Sequence, residues 1–287
     1  MKNKLCIITG ANAGIGFETA RELARQGAFI VMVCRNEDKA IAAKKAIQQE
    51  TPSAGIDIIL CDFSIQDEIR KAASEILEKY DKIDVLINNH GFIVDKFVET
   101  VDGLESTIAV NHIGYFLLTY LLLPTIKNSG KARIVSVSSD AHRSGKFDPN
   151  NLQSKDNYNS WQAYSDSKLF NILFTIELAD RLKDTEVTAN CLHPGVVRTK
   201  FGNGMNPIFA LLWKIGSPFM KSHKDGAETS IYLATSEEVA EVNGAYFADS
   251  KVKTPRKQAL DPEAARELWS ISEELCGLSN KPAIDIE

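Results

Sequence analysis

Short runs of consecutive apolar residues alternate with stretches in which apolar side chains recur every three or four positions. The runs are Leu5–Thr9 (LCIIT), Phe29–Cys34 (FIVMVC), Ile56–Cys61 (IDIILC), Val85–Asn88 (VLIN), Arg133–Val137 (RIVSV), Val187–Leu192 (VTANCL) and Ala245–Ala248. Runs without polar alternation suit strands covered on both faces. The stretches between them predict helices over 17–26, around 37–50, near 65–80, over 103–127 and over 161–183, with a helical tail over 261–278. Strands that alternate with helices form right-handed βαβ units around a parallel sheet. The pattern therefore predicts one doubly wound α/β domain over residues 1–287, with seven parallel strands and helices on both faces.

Two segments stand apart from this rhythm. Residues 140–160 are polar, and residues 200–224 mix glycine and proline with bulky apolar side chains. Loops this long in a small domain are often functional. Within the second, Ile208, Phe209, Leu211, Leu212, Trp213, Ile215, Phe219 and Met220 would each cost about 1.5–3 kcal/mol if left in water. The segment 207–220 is therefore expected to cover something: a lid over an apolar substrate, a helix packed on the core, or a contact with a membrane surface. The 103–127 helix is apolar around most of its circumference, so something must bury it. A second copy packed on this helix or on the 161–183 helix predicts at least a homodimer; the chain's own sheet is the rival.

Composition narrows the function classes. The 287 residues are 44% hydrophobic and 25% charged, as in ordinary globular proteins. With 33 Lys and Arg against 38 Asp and Glu, the net charge of −5 does not suit a nucleic-acid partner. The five cysteines form no C-x-x-C pair. They read as buried thiols in a reducing compartment, which predicts a cytoplasmic protein. The spaced-out histidines give no metal-ligand spacing, so no metal is expected. No stretch of about 18 uncharged apolar residues offers a membrane span. The N-terminus reads as a first strand rather than a targeting peptide, so any membrane contact would be peripheral.

The first run leads into Thr9-Gly10-Ala11-Asn12-Ala13-Gly14-Ile15-Gly16 and then a helix. Such a turn brings backbone close to a pyrophosphate at a helix N-terminus, although a plain strand–helix turn also uses glycines. The second strand ends Cys34-Arg35-Asn36. An acid there would bind the ribose 2′-hydroxyl of NAD, whereas an arginine accommodates the 2′-phosphate of NADP, so Arg35 favours NADP(H) over NAD(H). The fifth strand ends in Ser138-Ser139, and Tyr164 and Lys168 share a helix face at i and i+4. An ammonium close to a phenol favours the phenolate and would make Tyr164 a proton donor and acceptor near neutrality.

Taken together, these motifs resemble the short-chain dehydrogenase/reductase family from about residue 4 to 250. TGANAGIG matches that family's cofactor turn, carried by Gly10, Asn12, Gly14, Ile15 and Gly16. Asn88-Asn89-His90-Gly91 matches its strand-four motif, which implies Asn88 as a cofactor contact, with His90 in place of an alanine. That histidine is expected to adjust packing or to bond backbone. Asn111 matches the family's catalytic asparagine, and Ser139, Tyr164 and Lys168 its catalytic serine, tyrosine and lysine. Asp62 matches the aspartate beside the adenine. HPGVVRT, with Pro194, Val197 and Thr199, matches the segment whose threonine holds the nicotinamide amide. Ala13 stands where some NADP enzymes of the family carry a basic residue, which leaves Arg35, with Lys39 one turn on, for the 2′-phosphate. Within the family, TGANAGIGFETARELA, VCRN, HPGVVRT and LWSISEELCGL resemble the retinol-dehydrogenase-like branch, which often carries an N-terminal membrane anchor.

The resemblance implies a Rossmann-type fold and a hydride transfer between NADP(H) and an apolar carbonyl or alcohol: a retinoid, a steroid or a lipid-like aldehyde or ketone. Tyr164 would pass the proton, Ser139 hold the substrate oxygen, Lys168 depress the tyrosine pKa and Asn111 order a relay water. Fold does not fix function. The alternative is an NADP-binding regulatory or scaffold protein without catalysis, whose mark would be a damaged tetrad.

Overall fold

The structure, a computed structural model, describes residues 1–153, 155, 158–197 and 220–279. Among these residues, eight strands form one sheet in the order β3-β2-β1-β4-β5-β6-β7-β8. They are β1 (Leu5–Thr9), β2 (Phe29–Cys34), β3 (Ile56–Leu60), β4 (Val85–Asn88), β5 (Arg133–Val137), β6 (Thr188–His193), β7 (Tyr246–Ala248) and β8 (Lys251–Lys253). The first seven run parallel and coincide with the seven apolar runs to within a residue. The eighth pairs antiparallel with β7 and corrects the expected count. Asp249 and Ser250 between them have φ of 51° and 56°. Two consecutive residues at positive φ make the tight turn whose twist suits a hairpin. The strand itself, Lys-Val-Lys, is exposed and closes the sheet with charge, so no apolar run betrays it.

Among the described residues, seven helices surround the sheet: α1 (Gly14–Arg25), α2 (Glu37–Glu50), α3 (Gln66–Lys79), α4 (Ser106–Asn128), α5 (Ser160–Arg181), α6 (His223–Thr235) and α7 (Pro262–Leu275). Side chains along a strand alternate between faces. Cys6 and Ile8 of β1 accordingly join a core with α1, α2 and α6, and Ile7 joins the larger core under α3, α4, α5 and α7.

The start of α4 lies three residues beyond the expected one because Glu105 caps it. Its carboxylate accepts from the amides of Thr107 and Ile108, both at 2.9 Å. Within α4, Ala109–Ile113 forms a π turn, a feature that recurs at functional sites. The apolar circumference of α4 is covered by this chain itself. Phe116 meets Trp269 of α7 edge-on at 4.9 Å, and His112 hydrogen-bonds Ser272 at 3.0 Å. The helix is long and apolar enough to cross a membrane, yet nearly all of it is buried inside the fold. The reason given by the sequence for a second copy is thus met within one chain.

Candidate active site

β1 lies between β2 and β4, so the strand order reverses beside it, and the carboxyl ends of β1 and β4 open the crevice where doubly wound sheets bind ligands. The glycine turn occupies that crevice. Gly10 and Gly14 have φ of +67° and +58°, which favours glycine. A Cβ on Gly16 would collide with the Gly10 carbonyl and with Nδ2 of Asn89, so this position has room only for hydrogen. The turn delivers the N-terminus of α1 with no side-chain cap at Ala13 and no acid in its first turn. Its positive end and first N–H groups fit an anionic pyrophosphate. The amides of Ala11 and Asn12 face the sulfur of Cys34, whose thiol burial pushes up to about 11.

At the ends of β2 and β3, Arg35 and Asp62 form an ion pair at 3.4 Å. The arginine side chain is 75% exposed, so the pair is weak and the guanidinium stays available to a phosphate. Burial raises the Asp62 carboxyl, but the Ser64 amide and hydroxyl, with Arg35, more than offset this and hold it below the ordinary range. Lys39 is exposed in the first turn of α2, capped by Asn36.

Of the two asparagines after β4, the structure separates the roles. Asn88 is fully buried and donates to Thr119 on α4 at 2.9 Å, so its side chain faces the core rather than the crevice. Asn89 underlies the turn instead: its Nδ2 donates to the Thr9 carbonyl at 2.8 Å, and its amide donates to the Thr9 hydroxyl at 2.8 Å. Sequence reasoning chose Asn88 and passed over Asn89 and Thr9. The paired asparagines opposite a threonine at the end of β1 were the available signal.

Ser139, Tyr164 and Lys168 converge at the end of β5. The Ser139 side chain is hydrogen-bonded with Tyr164 and also accepts from the Ala141 amide at 3.2 Å. Ser138 ties β5 to α5 by donating to the Lys168 carbonyl at 2.7 Å. Lys168 is buried; its Nζ donates to the Val137 carbonyl at 3.1 Å and lies 5.6 Å from the Tyr164 ring centre. Here the expected electrostatics are reversed. Burial pushes the Tyr164 hydroxyl up to about 12, with the Ser139 hydrogen bond pulling the other way. Burial also pulls Lys168 down to about 7. A low-dielectric surrounding disfavours both charged forms.

Asn111 sits in the π turn, fully buried, with its side chain committed. Its Oδ1 accepts from the Phe92 amide, and its Nδ2 donates to the Phe92 carbonyl, each at 2.9 Å, and to Ser167 at 3.1 Å. It fixes the chain after β4 beside Lys168; a Cβ on Gly91 would be 3.2 Å from its Oδ1 and 3.5 Å from the lysine Nζ. His90 also bonds backbone: its Nε2 lies 2.8 Å from the Val110 carbonyl.

After β6, Val197 is buried against the glycine turn, since a Cβ on Gly226 of α6 would meet both Val197 and Ile15 within 3.3 Å. Pro194 is half-buried at the strand end, next to Gly195 with φ of +90°. Thr199 and residues 207–219 of the expected lid lie outside the described residues. His193 accepts from the Asp140 amide at 3.2 Å. All five cysteines are buried thiols.

A profile of the short chain dehydrogenase family matches residues 4–207. Retinol dehydrogenase 12 of Mus musculus is 43% identical over 275 residues, covering 96% of this chain and 87% of that protein. Retinol dehydrogenase 13 of Homo sapiens is 43% identical over 289 residues, covering 96% and 85%. Among solved structures, a protein from Mycobacterium paratuberculosis is 32% identical with a TM-score of 0.77, covering 96% of this chain and 94% of that one. With the glycine turn, the Ser139–Tyr164–Lys168 cluster and these matches in hand, the chain belongs to the short-chain dehydrogenase family, as an oxidoreductase of the retinol-dehydrogenase-like kind.

Proposed function

We propose that the protein is an NADP(H)-dependent oxidoreductase that interconverts an alcohol and a carbonyl on an apolar substrate, with Tyr164 as proton donor and acceptor. The observation that carries this reading is the Tyr164 hydroxyl, hydrogen-bonded with Ser139 at the mouth of the crevice that the glycine turn floors. A nicotinamide cofactor, when bound, supplies or accepts the hydride. The chain's own part is the proton and the positioning. Tyr164, held protonated by burial, donates to a carbonyl oxygen during reduction, and Ser139 hydrogen-bonds the same oxygen. Lys168 keeps its amine in the cluster through the Val137 carbonyl, where it can receive or return a proton. Gly10, Gly14, Gly16 and the open end of α1 fit the pyrophosphate.

Arg35 supports NADP(H): no acid stands at the end of β2, and the guanidinium is exposed there. Trp161, one helical turn before Tyr164 and 6.0 Å from its ring, is 42% exposed and presents an apolar wall beside the tyrosine. That wall, with relatives named retinol dehydrogenases, supports a retinoid, a steroid or a lipid-like aldehyde or ketone as substrate. The buried thiols suit a reducing, cytoplasmic setting. The test is a panel of apolar and polar carbonyls with both cofactors. Tyr164→Phe is expected to lose turnover while NADPH still binds. A variant that kept more than about a tenth of the wild-type kcat would remove the tyrosine from its role, since general acid catalysis supplies about 10²–10⁴-fold.

A further inference from the structure

His90 stands where the family motif has an alanine, and its ring spans the two halves of the site. The Val110 carbonyl 2.8 Å from Nε2 can only accept, so Nε2 carries the hydrogen. Burial pulls the imidazole down to about 3, which keeps it neutral. Nδ1 is then the acceptor nitrogen, and the Thr9 hydroxyl gives its one hydrogen to this 2.8 Å contact in preference to the Ile87 carbonyl at 3.3 Å. Thr9 precedes Gly10 of the glycine turn, and a Cβ on Gly10 would be 3.1 Å from both Cα and Cβ of His90. Val110 precedes Asn111 in the π turn. The ring is fixed on its other sides as well. Phe63 stacks on it with centres 3.6 Å apart, and Tyr115 meets it edge-on at 4.8 Å while donating to the His90 carbonyl at 2.6 Å. Gly114 makes the room: a Cβ there would be 3.1 Å from Nε2 and 3.0 Å from Phe63.

We propose that His90 is a positioning residue that couples the glycine turn to the π turn, with Nδ1 holding Thr9 and the cofactor turn, and Nε2–H holding Val110 and hence Asn111. The inference rests on the functional reading above, and its test separates the two. Two amide side chains divide the imidazole. Asparagine places an acceptor where Nδ1 stands and leaves Val110 without a donor. Glutamine places a donor where Nε2 stands and leaves the Thr9 hydroxyl only the longer contact to the Ile87 carbonyl at 3.3 Å. Phenylalanine keeps the stack on Phe63 and loses both bonds.

Binding of NADPH is followed by its fluorescence, and kcat is measured at saturating cofactor. His90→Asn is expected to leave the NADPH Kd within about twofold and to lower kcat about tenfold, because small misplacements cost catalysis dearly. His90→Gln is expected to raise Kd about fivefold and leave kcat within about threefold, the size of one lost hydrogen bond. His90→Phe is expected to show both losses. Amide hydrogen exchange over 109–113, which needs no turnover, should quicken in the Asn and Phe variants and not in the Gln variant. In the wild type, imidazole nitrogen NMR should show the neutral Nε2–H form. Equal losses in all three variants, no loss in any, the reverse split, or the Nδ1–H form would overturn the proposal. A wild type that turned over no carbonyl or alcohol with either cofactor would overturn the functional reading instead, while Kd and exchange would still judge His90.

Discussion

Asp166 lies two residues from Tyr164 on α5, buried, where its Oδ1 accepts from the Lys146 amide and from Gln162 Nε2, each at 2.7 Å. Burial raises its carboxyl to about 6, against those two hydrogen bonds. The ordinary value for an aspartate is about 3.9, so the folded chain binds an extra proton between about pH 4 and pH 6. The sign follows: in that window the unfolded state holds fewer protons, and stability falls as pH rises. An asparagine keeps the acceptor and removes the charge. Asp166→Asn is expected to match the wild type near pH 4 and to be about 1–3 kcal/mol more stable at pH 7, read from denaturant melts at both pH values. A variant equal to or weaker than the wild type at pH 7 would count against a buried charge. At the same scale, Arg35→Asp is expected to move the kcat/KM preference from NADP(H) toward NAD(H), because an acid at the end of β2 suits a ribose hydroxyl and repels a phosphate. A wild type that already favoured NADH would refute the role given to Arg35.

The helix that carries Asn111 depends on an element far along the chain. α7 is capped by Asp261, which accepts from the Glu263 amide at 2.9 Å, and it lays Trp269 across Phe116 of α4 and Phe174 of α5. Arg181 stands over the indole at 4.3 Å. The end of α7 is tied to α3, where Gln66 donates to the Leu275 carbonyl at 2.9 Å and Arg70 to the Cys276 carbonyl. Trp269→Ala would leave a cavity against α4. A loss of about 3–5 kcal/mol is expected, measured by denaturant unfolding. A loss under about 1 kcal/mol would mean that α4 is held without this contact.

For the whole molecule, the two cores on either side of the sheet account for the burial of every described helix that the sequence left uncovered. α4 shows no exposed large apolar residue. A homodimer built on its apolar face has therefore lost its driving force, and light scattering at micromolar concentration is expected to give the mass of one chain. A dimer would show that another surface joins the copies.

Strand runs, helix order and the residue types of the site were legible in the sequence because they follow from local rules. A strand covered on both faces must be continuously apolar, as LCIIT and FIVMVC are, and a glycine turn before a helix is a local backbone requirement. Ser139, Tyr164 and Lys168 were found from motif and spacing. What only the tertiary structure decided depends on neighbours remote in the chain. Burial reversed the pKa direction expected for Tyr164, since desolvation is set by everything packed around a group. The division of labour between Asn88 and Asn89 turns on which face of β4's end meets α4 and which meets Thr9. The covering of α4 required α7, about 150 residues later, and β8 required two residues at positive φ in a segment with no apolar signal. His90 reads in the sequence as a single departure from a motif; only the fold shows Thr9 on one nitrogen and Val110 on the other.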